Sequence, residues 1–431
     1  MGRILFCHWN LRNLCGKISG MNREEKQMEQ VKTEQTATRQ GTTEQTVTRQ
    51  EAGEQAIIKQ TVTEQTAAGQ TVTEQITAEQ RIVILQDVIP TMMEWYRRTA
   101  RDLPWRERPE AYRVWISEIM LQQTRIEAVK PYYDRFLKQF PGVRELAEAP
   151  EEQVLKCWEG LGYYSRARNL QKAAILCMEN YGGELPASYE ELKALPGIGN
   201  YTAGAVASIA YRIPVPAVDG NVLRVLSRVF ADSRDISRQS IKTETEKLLL
   251  SVIPQDAPGA FNEAIMEIGE TICIPNGFPL CEQCPLAARC LARERGEQEL
   301  YPVKAPKKER RKEEKTILVL LCQGMAAVRK RPTKGLLAGM YELPWMSGYL
   351  SQEEIADCLQ LSNASAGEVL SNISYMGAAK HIFSHVEWHM KGYMIQTEAP
   401  IPGDWEYVPI PELKEKYPIP NAFSAYTEGL L

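Results

Sequence analysis

The segment Leu195-Pro-Gly-Ile-Gly-Asn-Tyr-Thr-Ala-Gly204 decides the fold of this chain. Helical patterns flank it, so it predicts two helices joined by a tight turn. Gly197 and Gly199 let the backbone turn sharply and expose amides at the start of the next helix, which we expect near Tyr201. Amides at a helix start attract phosphate groups. An ordinary helix-helix turn is the alternative, because short Gly-x-Gly motifs recur by chance.

A second motif, Val218-Asp-Gly-Asn-Val222, follows the turn. Asp219 comes after Pro214 and Pro216, so we expect it to cap a helix that starts at Asn221. A purely structural cap is one interpretation of this aspartate. A carboxylate presented to a ligand is the other.

Four cysteines lie further along the chain, in the pattern Cys273-x7-Cys281-x2-Cys284-x5-Cys290. Thiolates are soft ligands that select zinc or an iron-sulfur cluster. A zinc ribbon would normally offer two close C-x2-C pairs, and here there is one. The spacing therefore favours an iron-sulfur cluster, with zinc and unliganded core cysteines as alternatives.

Composition bounds the class of protein. A chain of 431 residues is long enough for two or three domains. The net charge of -4 shows no global basic excess, so any charge that binds nucleic acid must be local. The six remaining cysteines are scattered, which fits a reducing cytosol better than secretion. No apolar run is long enough for a membrane span, so we expect a soluble, cytoplasmic protein without membrane contact.

Sequence patterning divides the chain into four parts. Residues 1–81 contain a polar ten-residue repeat, which predicts a disordered tail. Residues 82–295 show amphipathic helices broken by Pro and Gly, and residues 296–315 form a basic, proline-containing linker. Residues 316–431 alternate strand and helix signals. The expected fold class is a mainly α domain followed by a small α+β domain.

The residues also constrain the choice of a general acid. The histidines are His8, His381, His385 and His389. The helical part contains none, so its general acid must be a carboxylic acid, Tyr or Lys. Glu118 is the best candidate, because it is the lone charge in Val114–Leu121 and burial among apolar side chains raises the pKa of a carboxyl group. A solvent-facing helical glutamate is the alternative.

Together, the helix-hairpin-helix, the Val-Asp-Gly-Asn-Val motif and the four cysteines resemble the endonuclease III, or helix-hairpin-helix-GPD, superfamily of DNA glycosylases. Within it, the chain is most similar to the MutY type, which removes adenine. Further matching motifs are Leu103-Pro-Trp-Arg106, Trp115-Ile-Ser-Glu-Ile-Met-Leu-Gln-Gln-Thr124 and Trp158-Glu-Gly-Leu-Gly-Tyr-Tyr164. One departure is the seven-residue spacing after Cys273, where the commoner family pattern has six. We expect that loop to bulge and the cluster to remain.

The C-terminal part also carries a resemblance. Gly335-Leu-Leu-Ala-Gly-Met-Tyr-Glu-Leu-Pro344 is similar to the strand and loop of MutT-like Nudix domains. The Glu-rich helix that binds magnesium in those hydrolases is missing. Nucleotide hydrolysis is therefore not expected of this domain, and mismatch recognition is what the resemblance implies.

The resemblance implies a role for each candidate residue. Glu118 would protonate adenine at N7, and Tyr201 and Asn221 would flank the sugar. Asp219 would either stabilise the positively charged sugar or be attacked by it transiently. The residues implied in substrate and DNA binding are Arg106 and Glu263 in the adenine pocket, Leu121, Gln123 and Tyr163 as the intercalating wedge, Gly197 and Gly199 at the backbone, and Phe383, Ser384 and His385 at 8-oxoguanine. Cys273, Cys281, Cys284 and Cys290 would hold a 4Fe-4S cluster.

The expected function is excision of adenine opposite 8-oxoguanine or guanine in double-stranded DNA, by a monomer. Relatives that also cut the strand carry a lysine two residues after the last hairpin glycine, and this chain has Tyr201 there. A monofunctional enzyme that leaves an abasic site is therefore expected. The alternatives are an endonuclease III-like enzyme for oxidised pyrimidines and a non-catalytic, cluster-containing DNA-binding protein.

Overall fold

The computed structural model describes residues 76–306, 309–359 and 372–430. They belong to one compact unit, Gln75–Leu431. The repeats predicted to form a disordered tail lie outside the described residues. The expected fold class is confirmed, because a helical region precedes a region built on a β-sheet.

The helical region begins at Ala78 and continues past the last of the four cysteines. Its helices are α1 (Ala78–Thr99), α2 (Pro104–Glu107), α3 (Ala111–Leu121), α4 (Ile126–Gln139), α5 (Val143–Glu148), α6 (Glu151–Cys157), α7 (Ser165–Asn180), α8 (Tyr189–Ala194), α9 (Asn200–Ile209), α10 (Gly220–Val229), α11 (Gln239–Leu250), α12 (Pro258–Thr271) and α13 (Leu291–Glu294). Short 3-10 turns at Cys281–Gln283, Ala287–Arg289 and Gln298–Leu300 lie between and after the cysteines.

Two hydrophobic cores organise these helices. The first core contains Trp115 and Met120 of α3 together with residues of α4 to α9. The second core joins α1, α10, α11 and α12 and extends to Cys273. Because α3 and α9 belong to the first core and α10 and α12 to the second, the boundary between the cores places side chains from four helices opposite one another.

The sheet region consists of seven strands and three short helices among the described residues. They are β1 (Arg311–Cys322), β2 (Met325–Lys330), β3 (Tyr341–Glu342), β4 (Trp345–Ser347), α14 (Gln352–Cys358), β5 (Ile373–Ile382), β6 (Val386–Thr397), β7 (Glu406–Pro409), α15 (Ile410–Lys416) and α16 (Ser424–Thr427). The strand order is β3-β2-β1-β6-β5, with β4 paired to β1 and β7 paired to β2. The β1-β6 pair is parallel and the other pairs are antiparallel.

Alternation along β1 explains why both faces of the sheet are covered. Ile317 and Val319 pack in one core with Trp388, whereas Leu318 and Leu320 pack in another. Successive side chains of a strand point to opposite faces, so an uninterrupted apolar run is typical of a strand buried on both sides.

Two elements begin before the predicted bounds of their domains. Helix α1 begins at Ala78, before the predicted boundary at Ile82, because Thr77 and Gln80 form a capping box in which each side chain accepts a hydrogen bond from the other residue's backbone amide. Strand β1 begins at Arg311, inside the predicted linker. Its charged residues pair with β6 through the backbone, and backbone pairing does not require apolar side chains.

The sheet region packs directly on the helical region. Met340 joins the first helical core, and the Lys330 ammonium lies 2.5 Å from the Glu152 carboxylate. The Glu159 carboxylate accepts a hydrogen bond of 2.9 Å from the backbone amide of Ile419. Across the described part of the chain, no helix is both long and apolar enough to cross a membrane.

Candidate active site

A cleft of about 1330 Å³ opens where the two helical cores meet. Its walls come from α2, α3, α9, α10 and α12 and from the turns between them. The candidate residues that line it are Arg106, Glu118, Leu121, Gln123, Gly199, Tyr201, Asp219, Asn221 and Glu263. The fold therefore brings together residues that lie far apart in the sequence.

Glu118 lies on the buried face of α3 and is only 6% exposed. The pKa of its carboxyl group is raised to about 7, because burial and, to a smaller extent, the charges of Glu263 and Asp219 outweigh the hydrogen bond from Tyr201 that lowers it. The Tyr201 hydroxyl donates to Glu118 Oε2, and it lies 3.3 Å from Met266 Sδ. A carboxyl group with this pKa keeps a transferable proton near neutrality. The prediction that Glu118 is buried is confirmed.

Asp219 caps α10, as predicted. One of its carboxylate oxygens, Oδ1, accepts from the Val222 amide at 2.8 Å, and the other, Oδ2, accepts from Asn221 Nδ2 at 2.9 Å. Burial raises the pKa of Asp219, while hydrogen bonds from the backbone of Val222 and Asn221 and the charge of Arg224 act in the opposite direction. The carboxylate of Asp219 therefore faces the cleft with a fixed hydrogen-bond donor on each of its oxygens. Glu118, in contrast, lies among apolar side chains.

Asn221 is fixed from both sides. It donates to Glu270 Oε1 at 2.9 Å, and its Oδ1 accepts from Arg224 Nη2 at 2.9 Å. Arg224 in turn donates to the carbonyls of Gly269 and Cys273 at 2.7 and 2.8 Å. Arg224 and Glu270 therefore hold the amide that contacts Asp219, and the sequence analysis named neither of them.

One end of the cleft is a network of two arginines and two glutamates. Arg106 Nε donates to Glu263 at 3.1 Å and Arg106 Nη2 donates to Glu267 at 2.8 Å. Arg101 donates to both oxygens of Glu267, which is 1% exposed. Burial alone would raise the pKa of Glu267, but hydrogen bonds from the two arginines lower it. Burial raises the pKa of Glu263.

Arg101 and Glu267 were missed in the sequence. A signal existed for Glu267, because Glu263, Glu267 and Glu270 recur at helical spacing on the largely apolar helix α12. Carboxylates on such a helix are expected to have partners when they are buried. No comparable pattern marks Arg101.

The hairpin glycines differ in their roles. Gly197 has a φ of +79°, and a Cβ there would approach Asn169 Cβ to 2.7 Å, so both the turn and the packing require glycine. Gly199 precedes α9 with an ordinary negative φ, and open space lies where its Cβ would be. That space permits close approach of a ligand backbone to the start of α9.

Of the predicted wedge residues, Leu121 ends α3, and Gln123 and Tyr163 lie in two loops with a strained backbone. Gln123 follows α3 with a φ of 60°, and Tyr163 precedes α7 with a φ of 49°. Positive φ is unusual for residues other than glycine and clusters at functional sites. Leu121 and Gln123 line the cleft, whereas Tyr163 lies outside its lining and is 46% exposed.

Phe383, Ser384 and His385 form the turn between β5 and β6 and do not line the cleft. Phe383 packs edge-on against Trp388, with 4.8 Å between ring centroids. Ser384 and His385 are exposed, and Ser384 Oγ lies 3.2 Å from His385 Nδ1. The packed ring of Phe383 therefore anchors the turn, and the polar side chains of Ser384 and His385 are exposed on it.

The four candidate cluster cysteines line one cavity, beside Arg228 and Gln298. The pKa values of the Cys284 and Cys290 thiols are raised to about 12 and about 11, mainly by burial and partly by the neighbouring cysteines. No three of the described His, Cys, Asp and Glu residues form a group that could hold a single metal ion. The fit to a cluster therefore rests on the chemistry of four soft donors around a shared cavity.

The loop between the first two of these cysteines is largely exposed. Gly277 turns it with a φ of +77°, and Phe278 is 72% exposed. Two arginines near the last two of these cysteines pair with carboxylates. Arg289 lies 2.5 Å from Asp87, and Arg293 lies 3.1 Å from Glu282.

The chain matches the model of the HhH-GPD superfamily base excision DNA repair proteins over residues 116–251 and that of the NUDIX domain over residues 316–429. It is 35% identical over 368 residues to the adenine DNA glycosylase of Homo sapiens, covering 72% of this chain and 67% of that protein. It is 34% identical over 300 residues to the adenine DNA glycosylase of Buchnera aphidicola subsp. Baizongia pistaciae, covering 69% and 82%. A solved thermostable thymine-DNA glycosylase aligns with a TM-score of 0.45 and 25% identity, covering 51% of this chain and 100% of that one.

Proposed function

Since this chain belongs to the adenine DNA glycosylases of the HhH-GPD superfamily, we propose that it excises adenine opposite 8-oxoguanine, or opposite guanine, and leaves an abasic site. The observation that carries the proposal is the pair of carboxyl groups in one cleft, the buried Glu118 and the half-buried Asp219, held in different surroundings. Two carboxyl groups whose surroundings differ can divide the roles of acid and anion between them.

Glu118 is the general acid in this mechanism. Its pKa of about 7 supplies a protonated fraction at neutral pH. The proton moves from the carboxyl group to N7 of the flipped adenine, and the C1′–N9 bond then breaks with its electron pair moving to the base. Protonation makes adenine a better leaving group.

Asp219 faces the sugar that remains. Loss of the base leaves positive charge on the C1′ and ring oxygen, and a carboxylate held by fixed donors stabilises that charge without having to reorganise. Asn221 keeps the carboxylate oriented, since Arg224 and Glu270 hold its own amide group. Water adds to C1′ and gives a proton to the carboxylate of Glu118, which restores the acid and completes the hydrolysis.

Arg106 and Glu263 form the wall of the proposed adenine pocket. Their mutual ion pair, together with Glu267, fixes polar atoms at one end of the cleft. Tyr201 lies where strand-cutting relatives would carry a lysine, and its hydroxyl donates to Glu118. Its phenol cannot form a Schiff base, which supports a monofunctional reaction.

Cys273, Cys281, Cys284 and Cys290 would hold a 4Fe-4S cluster. Such a cluster, when bound, supplies the charge that makes deprotonation of its cysteine ligands favourable. Arg228 supports this site, because its guanidinium lies 3.3 Å from Cys273 Sγ and it also donates to the carbonyl of Ile274 at 3.0 Å. No step of the excision needs electron transfer, so the proposed role of the cysteine site is structural.

The pH dependence of excision is expected to shift when Tyr201 is replaced. In the wild-type protein the rate should fall as the pH rises through about 7, because Glu118 must carry its proton. The Tyr201 hydrogen bond lowers the pKa of Glu118, so Tyr201→Phe should raise it and move the alkaline limb to higher pH. Single-turnover rates across pH 5 to 9 measure this shift. An alkaline limb that stays in place or moves to lower pH would contradict the assigned acid.

Recognition of the opposite base is expected to depend on the turn Phe383-Ser384-His385. In a duplex with adenine opposite 8-oxoguanine, Ser384→Ala and His385→Ala should each weaken binding by roughly 5- to 150-fold, the worth of one good polar contact to a base. Binding to adenine opposite guanine should change much less. Ser374→Ala, an exposed change on β5 away from the turn, is the matched control. Equal losses on both duplexes would remove this turn from recognition of 8-oxoguanine.

A further inference from the structure

Arg166 is a buried cation in the second position of α7 and is 8% exposed. Its described hydrogen bonds end on backbone carbonyls and one hydroxyl, and none of them ends on a carboxylate. Burial lowers the pKa of Arg166 to about 10, so the side chain remains charged at neutral pH. A buried charge without an acidic partner is costly, so it requires an explanation.

One edge of the guanidinium contacts the loop that follows α3. Nη1 donates to the carbonyls of Ile119 at 2.7 Å, Met120 at 2.9 Å and Gln122 at 2.8 Å. The last carbonyls of a helix have no partner inside the helix and carry partial negative charge. The end of α3 therefore compensates the charge of Arg166 in place of a carboxylate.

The other edge contacts the loop that precedes α7. Nη2 donates to the carbonyls of Leu161 and Gly162, both at 3.1 Å, and it also reaches Thr124 Oγ1 at 3.3 Å in the first loop. One planar group thus joins two loops that are separate in the sequence.

The contacts fall beside the two strained residues. Gln122, whose carbonyl binds Arg166, immediately precedes Gln123, and Gly162 immediately precedes Tyr163. Gln123 and Tyr163 have φ values of 60° and 49°. Such conformations persist where the surroundings hold them in place. The guanidinium also lies 5.7 Å from the centroid of the Tyr163 ring.

We propose that Arg166 is a positioning residue that holds both wedge loops in the conformation from which Gln123 and Tyr163 enter the DNA duplex. This inference rests on the proposed function, because it requires that these residues serve as the wedge. Arginine suits the task because its rigid fork of donors reaches both loops together, whereas a lysine ammonium is a point donor. Flipping a base loses stacking that the wedge must offset. Without Arg166, the two wedge loops would relax and would have to become ordered again whenever the base is flipped. This cost lowers the fraction of adenine that is flipped.

The test measures base flipping and excision separately. Arg166→Lys and Arg166→Met are compared with the wild-type protein on a duplex with adenine opposite 8-oxoguanine and 2-aminopurine beside the adenine. Stopped-flow fluorescence of the 2-aminopurine reports unstacking, and single-turnover cleavage after alkali reports excision. Both should fall by the same factor, roughly 10- to 100-fold, as expected for lost charge-assisted hydrogen bonds. The alkaline limb set by Glu118 should not move.

Gln171→Met is the matched control. Gln171 lies on the same helix, is equally buried, and donates to the carbonyls of Leu146 and Ala149 away from the wedge loops. This variant should be less stable to heat but flip adenine normally. In a background that carries both Gln123→Ala and Tyr163→Ala, Arg166→Lys should cost less than threefold, because both side chains through which Arg166 acts have been removed.

The measurements distinguish a failure of this proposal from a failure of the proposed function. Equal losses of flipping and excision that disappear when Gln123 and Tyr163 are both replaced by alanine support the proposal. Normal flipping by Arg166→Lys overturns it, even if the melting temperature falls, because Arg166 would then be purely structural. If Arg166→Met fails to fold, Arg166→Lys decides, since it keeps the charge. A wild-type protein that excises no adenine would refute the proposed function itself, whatever the variants do.

Discussion

Replacing Glu118 with glutamine is expected to lower the single-turnover rate of adenine excision by roughly 100- to 10,000-fold, the usual contribution of a general acid. Glutamine has nearly the shape of the protonated carboxyl group but has no acidic proton to give. Binding to a duplex with adenine opposite 8-oxoguanine should be retained, because Glu118 is buried in the cleft and the other lining residues are unchanged.

The stability of this variant provides an independent check. The pKa of Glu118 is raised in the folded protein, so folding favours the protonated form and the free energy of unfolding falls as the pH rises from about 4.5 through about 7. Glu118→Gln should therefore be more stable than the wild-type protein at pH 8. Glu110→Gln, an exposed change at the start of the same helix, should leave both rate and stability unchanged. Full excision activity in Glu118→Gln would exclude this residue as the acid.

Replacing Asp219 with asparagine should lower the excision rate by roughly 100- to 1,000-fold, the range found when one electrostatic contact to a transition state is lost. The variant removes the negative charge that faces the sugar. Asparagine is as good a helix cap as aspartate, so the hydrogen bond from the Val222 amide can remain and α10 should fold normally. The measurement is a single-turnover rate beside a melting curve.

The matched control for this prediction is Asp235→Asn. Asp235 accepts hydrogen bonds from the amide and hydroxyl of Ser237 in a turn outside the cleft. Its replacement therefore removes a carboxylate charge that caps a turn without changing the cleft. Its rate should equal that of the wild-type protein. If both variants lose activity equally, or if Asp219→Asn excises adenine at close to the normal rate, Asp219 has no electrostatic role.

Site residues could be predicted from the sequence where their immediate neighbours in the chain determine their environment. Asp219 stands between prolines and a helical pattern, so its position as a cap follows from short-range sequence alone. Glu118 lies among apolar residues at helical spacing, which is enough to predict its burial. In both cases the surrounding few residues determine the environment.

The missed residues depend on contacts between distant parts of the chain. Arg101 is held by Glu267, and Arg166 is held by the end of α3, and neither partner lies nearby in the sequence. The start of β1 was missed because its charged residues suggested a linker, whereas its pairing with β6 is made by the backbone. Contacts between distant segments of the chain leave no pattern in the local sequence from which they could be predicted.

The measurement that tests the central claim most directly is single-turnover cleavage of a duplex with one adenine opposite 8-oxoguanine, with and without hot alkali, beside a thymine glycol duplex. The two-carboxylate mechanism predicts breaks in the adenine strand only after alkali, and no cleavage at thymine glycol. Cleavage at thymine glycol, breaks without alkali, or no reaction on either duplex would contradict a monofunctional adenine glycosylase that works through Glu118 and Asp219.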